Sequence, residues 1–131
     1  MATLELVAVV LVVDDFDLVR KLCATILDRA GHQVIEASDG LAAIKAYQEH
    51  RPDAVLLDLM MPVMDGLSAL REIRRIDPDA RVAMFTAHRD REQVVRAIEL
   101  GARDYVVKPF QADRLVQAVN RLLGAGTDSP A

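Results

Sequence analysis

The sequence predicts an α/β fold in which a central parallel β-sheet is covered by helices on both faces. Five short aliphatic runs alternate with five helical patterns along the 131 residues, and this alternation is typical of right-handed strand-helix-strand units. Four of the five runs are apolar throughout, as expected for strands that are buried on two sides. A chain of this length can form one domain with its own core. We therefore expect a (βα)5 three-layer sandwich.

The first unit combines a strand over Val7–Val13 with a helix over Asp17–Ala30. Asp17 is the expected N-cap of this helix, and Gly31 is expected to stop it. The single cysteine, Cys23, falls in phase with an apolar face that we interpret as the core face: Leu18, Val19, Leu22, Ile26, Leu27 and Ala30. Cys23 is therefore predicted to be a small core residue that forms no internal disulfide.

The second strand, Gln33–Ala37, contains two polar residues and is expected at an edge of the sheet. Its helix runs from about Gly40 to His50 and ends before Pro52. Three further units complete the pattern: Ala54–Leu57 with a helix from Asp65 or Gly66 to Ile76, Val82–Phe85 with Arg89–Leu100, and Tyr105–Val107 with Ala112–Leu123.

Composition and charge exclude several classes of function. Hydrophobic residues make up 52% of the chain and charged residues 27%, which fits a globular protein rather than a disordered one. The net charge is -4 and no basic run is present, so direct nucleic-acid binding is not expected. The longest apolar stretch, Leu6–Val13, is far shorter than the roughly 20 residues of a membrane span and lacks the flanks of a signal peptide. We expect no membrane insertion and a cytoplasmic location.

The residues at the strand ends predict a functional site. Strand one is followed by Asp14 and Asp15, strand three by Asp58, strand four by Thr86 and strand five by Lys108. Because ligands of parallel sheets bind beyond the carboxyl ends of the strands, these side chains should meet at one edge. Three carboxylates at close range repel one another unless a cation is present, and Mg²⁺ prefers oxygen ligands and phosphate. Beside such a cation an aspartate can accept a phosphoryl group, whose oxygens an ammonium and a hydroxyl can then contact.

With these residues at its strand ends, the chain resembles the receiver domain of two-component response regulators, most closely the stand-alone chemotaxis type. The resemblance covers about residues 7–123. It depends on Asp14-Asp15, on the stretch Asp58-Leu59-Met60-Met61-Pro62-Val63-Met64-Asp65-Gly66, on Thr86-Ala87, on Gly101-Ala102-Arg103-Asp104-Tyr105 and on Lys108-Pro109-Phe110. It implies a flavodoxin-like fold with strand order 2-1-3-4-5.

The resemblance also implies a role for each residue of the site. Asp58 is the expected phosphoacceptor, and Mg²⁺ is the expected cofactor. The expected metal ligands are Asp15, Asp58 and the backbone carbonyl of Met60, with Asp14 acting mainly through water. Thr86 and Tyr105 are the expected switch residues, and Lys108 is expected to contact the phosphoryl group and to precede a cis proline bond.

Partners and domain limits follow from the same resemblance. It implies phosphorylation by a sensor histidine kinase or a histidine phosphotransfer protein, followed by a change in the surface of helix four, strand five and helix five that regulates an unknown downstream protein. The chain should be a monomer or a weak phosphorylation-dependent dimer, and a switch protein rather than an enzyme. We expect a lead-in over residues 1–6, a receiver domain over 7–123 and a flexible tail over 124–131. Met60 and His88 are hypothesised to limit access of hydrolytic water to the phosphoryl group.

Two alternatives use the same residues. Asp15-Phe16-Asp17-Leu18-Val19 matches the Asp-x-Asp-x-Val motif of haloacid-dehalogenase-type phosphatases, with Asp15 and Asp17 as the catalytic pair. That family also needs an acidic pair after the lysine, and only the isolated Asp113 and Asp128 follow Lys108. The second alternative is a degenerate receiver that serves only as a docking module, which the complete set of site residues disfavours.

Overall fold

The structure, a computed structural model, describes residues 7–87 and 91–124. Five strands alternate with five helices in these ranges, in the order β1 Val9–Val13, α1 Asp17–Arg29, β2 Gln33–Ala37, α2 Gly40–His50, β3 Ala54–Asp58, α3 Gly66–Ile76, β4 Val82–Thr86, α4 Arg91–Glu99, β5 Asp104–Val107 and α5 Ala112–Leu122. The strands form one parallel sheet with the order β2-β1-β3-β4-β5. The predicted fold class and strand order are confirmed.

Two apolar cores lie on opposite faces of the sheet. One core joins the sheet to α2, α3 and α4 through Ala43, Leu70 and Ala97 among others. The other joins it to α1 and α5, with Cys23 and Leu115 fully buried. Because side chains alternate between the faces of a strand, neighbouring residues of the same strand contribute to different cores. The fold is therefore a three-layer sandwich of helices, sheet and helices. None of the helices within the described ranges is long and apolar enough to span a membrane.

The predicted N-cap and core face of α1 need correction. Phe16 is the N-cap, and Asp17 lies in the first turn, where a negative charge interacts favourably with the helix dipole. Leu18 and Leu22 are 79% and 51% exposed, whereas Cys23 is buried. Since successive residues of a helix are rotated by about 100°, Leu18 and Leu22 lie on a stripe beside the one that contacts the sheet.

The two edges of the sheet also differ in part from the prediction. Gln33 and Glu36 of β2 are exposed, as expected of an edge strand. Strand β5 is the opposite edge, and its Tyr105 and Val107 are 42% and 44% exposed. The continuous apolar run of β5 therefore does not reflect burial on both faces.

Candidate functional site

The predicted site residues meet at the carboxyl-terminal edge of the sheet. Asp14 follows β1 directly, while Asp58 and Thr86 are the last residues of β3 and β4. The parallel register pairs Asp58 with Phe85 and Thr86 with Val107, the residue before Lys108. The sheet thus brings residues from four separate parts of the chain to one place.

Three carboxylates form the centre of this site. One carboxylate oxygen from each of Asp14, Asp15 and Asp58 lies within 4.8 Å of the other two. Asp14 is fully buried, Asp58 is 5% exposed and Asp15 is exposed. Three oxygen donors on a partly open surface fit a small divalent cation such as Mg²⁺, which uses few protein carboxylates and keeps several waters. The donor set therefore fits the metal that the resemblance implies.

Lys108 neutralises part of this negative charge. Its Nζ lies 2.6 Å from Oδ2 of Asp14 and 3.4 Å from Oδ2 of Asp58. The ammonium also lies 5.5 Å from the centre of the Phe85 ring, which stacks on Phe110, and a cation over a ring face is attracted to it. The Lys108–Pro109 peptide bond is cis, as the resemblance implied.

Burial and charge act in opposite directions on Asp58. Burial in the sheet edge, which disfavours the charged carboxylate, raises the pKa of Asp58 to about 6. The Lys108 ammonium lowers this pKa, the Asp14 carboxylate raises it further, and a 3.4 Å hydrogen bond from the Met60 backbone N–H to Oδ1 lowers it. A cation beside Asp58 would favour its charged form, which is the form that can act as a nucleophile.

The two expected switch residues lie in different environments. Thr86 is 2% exposed at the end of β4, while the Tyr105 side chain is 42% exposed on β5. The carbonyl of Tyr105 accepts a 2.7 Å hydrogen bond from Arg114. The structure therefore holds Tyr105 at the surface and Thr86 inside the site.

The loop from Leu59 to Asp65 carries Met60 and leads into α3. The Met60 side chain is 69% exposed, and Val63 adopts a left-handed conformation with φ of 67°, which is uncommon for a β-branched residue. The Asp65 side chain caps α3 by accepting a 2.8 Å hydrogen bond from the backbone N–H of Ser68. His88, the second residue of the hydrolysis hypothesis, lies outside the described residues.

Gly66 has a positional role that no pattern in the sequence indicates. A Cβ atom at Gly66 would lie 2.2 Å from the backbone oxygen of Asp58 and 2.7 Å from Cα of Leu59. Only glycine permits this approach, and the Gly66 N–H donates to the carbonyl of Leu59 at 3.0 Å. The Asp-Gly pair that resembled a simple helix start therefore sets how closely α3 packs behind Asp58.

Of the pair that the phosphatase alternative requires, only Asp15 lies with the other carboxylates. The Asp17 side chain is 82% exposed and pairs with Arg20 of the same helix at 2.7 Å. It is not part of the cluster formed by Asp14, Asp15 and Asp58. The geometry favours a cation site built on Asp58 over a catalytic pair of Asp15 and Asp17.

Comparison with known proteins agrees with this geometry. The family model described as response regulator receiver domain matches residues 10–120, and the chain belongs to this family. It is 45% identical to the chemotaxis protein CheY of Bacillus subtilis over 115 residues, which cover 87% of this chain and 96% of the relative. Receiver domains of this type are phosphoacceptor switches of two-component signalling rather than enzymes in the usual sense.

Solved structures show the same similarity. The receiver domain of NtrX from Brucella abortus superimposes with a TM-score of 0.85 at 39% identity, and the match covers 89% of this chain and 99% of that domain. In the longer NtrX chain crystallised with ATP, the same match covers only 27% of that chain. The chain thus spans about a quarter of the length of that larger regulator.

Proposed function

We propose that Asp58 accepts a phosphoryl group in a Mg²⁺-dependent reaction and that Asp14, Asp15, Asp58 and the Met60 carbonyl hold the cation. The observation that carries the proposal is the Lys108 ammonium, which lies within 3.4 Å of both Asp14 and Asp58 beside a third carboxylate. Bound Mg²⁺ would supply charge neutralisation for the carboxylates and for the incoming phosphoryl oxygens.

The chain's own residues have distinct tasks in this reaction. A carboxylate oxygen of Asp58 forms a bond to phosphorus, while the bond from phosphorus to the donor's imidazole nitrogen breaks and the imidazole takes up a proton. Lys108 binds a phosphoryl oxygen as a point charge, and the Thr86 hydroxyl donates to another. Burial of Asp58 excludes water from one side of the carboxylate.

Phosphorylation acts by shifting a population between two conformations. Thr86 moves toward the phosphoryl group. The Tyr105 side chain, which is exposed in the unphosphorylated structure, then moves inward. The surface of α4, β5 and α5 then changes shape for a downstream protein. Exposed apolar side chains already lie on this surface: Val95, Ile98, Tyr105 and Val107.

The proposal also covers the partners of the protein, its cellular location, its oligomeric state and the residue limits of its domain. The phosphodonor is a sensor histidine kinase or a histidine phosphotransfer protein, because receivers take their phosphoryl group from such proteins, and the location is the cytoplasm. The receiver unit comprises residues 7–123, and the protein is a monomer or a weak dimer after phosphorylation. Residues 1–6 and most of the tail proposed for 124–131 lie outside the described residues.

Incubation with a small phosphodonor such as acetyl phosphate tests the proposal. We expect the wild-type protein to gain the mass of one phosphoryl group with Mg²⁺ and none with EDTA, and Asp58→Asn to gain none under either condition. Asp17→Asn is the matched control, because the phosphatase alternative requires Asp17 and the receiver does not. Phosphorylation of Asp58→Asn at the normal rate, or its loss in Asp17→Asn, would contradict the proposal.

The docking-only alternative predicts a different result in the same samples. A protein that serves only as a docking module would bind no Mg²⁺ and take up no phosphoryl group, although it would be folded. Titration of the wild-type protein with Mg²⁺ by calorimetry therefore separates the two candidates without the need for a partner.

A further inference from the structure

Arg20 lies in the second turn of α1 and forms three hydrogen bonds with three different nitrogens. Nη1 donates to the backbone oxygen of Asp14 at 2.8 Å, Nε to Oε1 of Glu36 at 3.0 Å and Nη2 to Oδ1 of Asp17 at 2.7 Å. Its side chain is only 11% exposed. One guanidinium thus connects the end of β1, the edge strand β2 and the first turn of α1.

The three carboxylates of the cation site differ in what holds them. Asp14 accepts from Lys108 and from the backbone N–H of Phe16, and Asp58 accepts from Met60 and lies beside Lys108. The Asp15 carboxylate forms no hydrogen bond or ion pair with another residue of the described ranges. Its direction therefore depends on the backbone that carries it.

That backbone is fixed on both sides of Asp14. The Asp14 N–H donates to the carbonyl of Ala37 in β2 at 3.2 Å, and the Asp14 carbonyl belongs to the peptide unit that leads to Asp15. Arg20 is the side chain that binds this carbonyl. Glu36, which accepts a hydrogen bond from Arg20, is paired with Val12 in the sheet. The contact between Arg20 and Glu36 therefore connects the loop after β1 to strand β2.

We propose that Arg20 is a positioning residue that fixes the peptide unit between Asp14 and Asp15 and so directs the Asp15 carboxylate toward the cation. This inference rests on the proposed function, because it concerns the same Mg²⁺ site. The three hydrogen bonds of Arg20 go to Asp14, Asp17 and Glu36 and not to Asp58, so no contact with the phosphoryl group is proposed for it. The planar guanidinium of Arg20 donates three hydrogen bonds in fixed directions. The single ammonium of a lysine cannot reproduce this arrangement.

The positive charge of Arg20 and its proposed positioning role predict opposite effects of Arg20→Gln on Mg²⁺ binding. A positive charge near a cation site weakens cation binding, so by charge alone Arg20→Gln would tighten Mg²⁺ binding and Arg20→Lys would leave it unchanged. Loss of positioning weakens binding in both variants. We expect a rise of about tenfold in the Mg²⁺ dissociation constant, at the lower end of the effects known for residues that orient metal ligands.

Two measurements on the full chain test this expectation. Calorimetric titration gives the Mg²⁺ dissociation constant directly, and the initial rate of phosphorylation by acetyl phosphate is followed over a range of Mg²⁺ concentrations. For Arg20→Lys we expect the half-saturating Mg²⁺ concentration to rise and the maximal rate to remain within twofold of wild type. A general structural defect would instead lower the maximal rate at saturating Mg²⁺.

Lys21→Ala is the matched control. Lys21 also pairs with Glu36, at 3.2 Å, but is 66% exposed and does not contact the Asp14 carbonyl, so its removal should leave the Mg²⁺ dissociation constant unchanged. Unchanged binding in Arg20→Lys, tighter binding in Arg20→Gln, or a lowered maximal rate at saturating Mg²⁺ in Arg20→Lys would overturn the inference. If the wild-type protein itself bound no Mg²⁺, the proposed function would fail instead.

Discussion

His32 shows how a single buried side chain makes the stability of this protein depend on pH. The residue is 4% exposed, and its Nδ1 accepts a 3.2 Å hydrogen bond from the backbone N–H of Ala8. Burial lowers the pKa of His32 from its ordinary value of 6.5. An acceptor nitrogen must be unprotonated, so the fold requires the neutral imidazole at the start of β1.

The first prediction concerns acid stability. Because the pKa is lower in the folded state, the unfolded chain binds more protons as the pH falls below 6.5, and the free energy of unfolding decreases in that window until the folded pKa is reached. His32→Asn keeps an acceptor oxygen near the position of Nδ1 but does not titrate. Urea unfolding at several pH values from 7 downward should show a smaller loss of stability below 6.5 in His32→Asn than in wild type.

His50→Asn is the control for this measurement. The His50 side chain is 50% exposed, and its removal should leave the difference between neutral and acidic stability as it is in the wild-type protein. Equal acid sensitivity in wild type and His32→Asn would show that the Ala8 contact does not govern this window.

At the residue scale, side chains whose position follows from the strand ends alone could be predicted from the sequence. Asp14, Asp58, Thr86 and Lys108 meet as expected, because parallel strands end at the same edge. Arg20 was missed, since its role depends on Glu36, which lies sixteen positions away. No local pattern marks such a contact.

At the scale of elements, β3 and α3 approach each other closely beside the site. The N-terminus of α3 lies against the backbone of Asp58 and Leu59, with no room for a side chain at Gly66. We therefore expect a shift of α3 to displace the end of β3, which carries Asp58. A substitution here should affect stability and phosphorylation together.

The corresponding prediction is for Gly66→Ala. Although alanine favours helices more than glycine does, the added Cβ would overlap the Asp58 carbonyl, and we expect a net loss of about 2 kcal/mol in the free energy of unfolding. Ser68→Ala, two residues further along in the first turn of the same helix, should change stability by less than about 0.5 kcal/mol. Urea unfolding measures both, and a stabilised Gly66→Ala would refute the close approach.

The elements themselves were predicted to within one or two residues wherever they are described. The helix ends followed mainly from glycine, proline and capping residues, which act locally, although the N-cap of α1 is Phe16 and not Asp17. The exposed face of α1 and the exposed strand β5 were not predicted, because apolar periodicity does not distinguish a core stripe from a neighbouring apolar stripe such as Leu18 and Leu22. That choice depends on how the helix is rotated against the sheet.

At the scale of the whole molecule, the site is maintained at a cost in stability. Two buried carboxylates and an exposed one lie close together with a single ammonium between two of them. The strand order that creates this cluster was implied by the resemblance rather than by the periodicity, since a crossover helix can place the next strand on either side of the last. Once the order is given, the position of the site follows.

The last prediction compares stability with and without metal. In EDTA, Asp58→Asn should be more stable than wild type by about 1 kcal/mol, because it removes a buried charge from a group of like charges. Mg²⁺ at 100 times its dissociation constant should stabilise the wild-type protein by about 2.7 kcal/mol and Asp58→Asn much less. Thermal unfolding measures both effects, and a Mg²⁺ response of equal size in the two proteins would contradict the assignment of Asp58 as a ligand.

The buried position of Cys23 has a practical consequence. The thiol is fully enclosed between α1 and the sheet, and burial raises its pKa to about 12, so it is protected from maleimide reagents while the protein is folded. Because the chain has no other cysteine, a cysteine introduced at an exposed site such as Gln48 would be the sole thiol available to a fluorescent dye. The natural protein is thus already a clean background for single-site labelling.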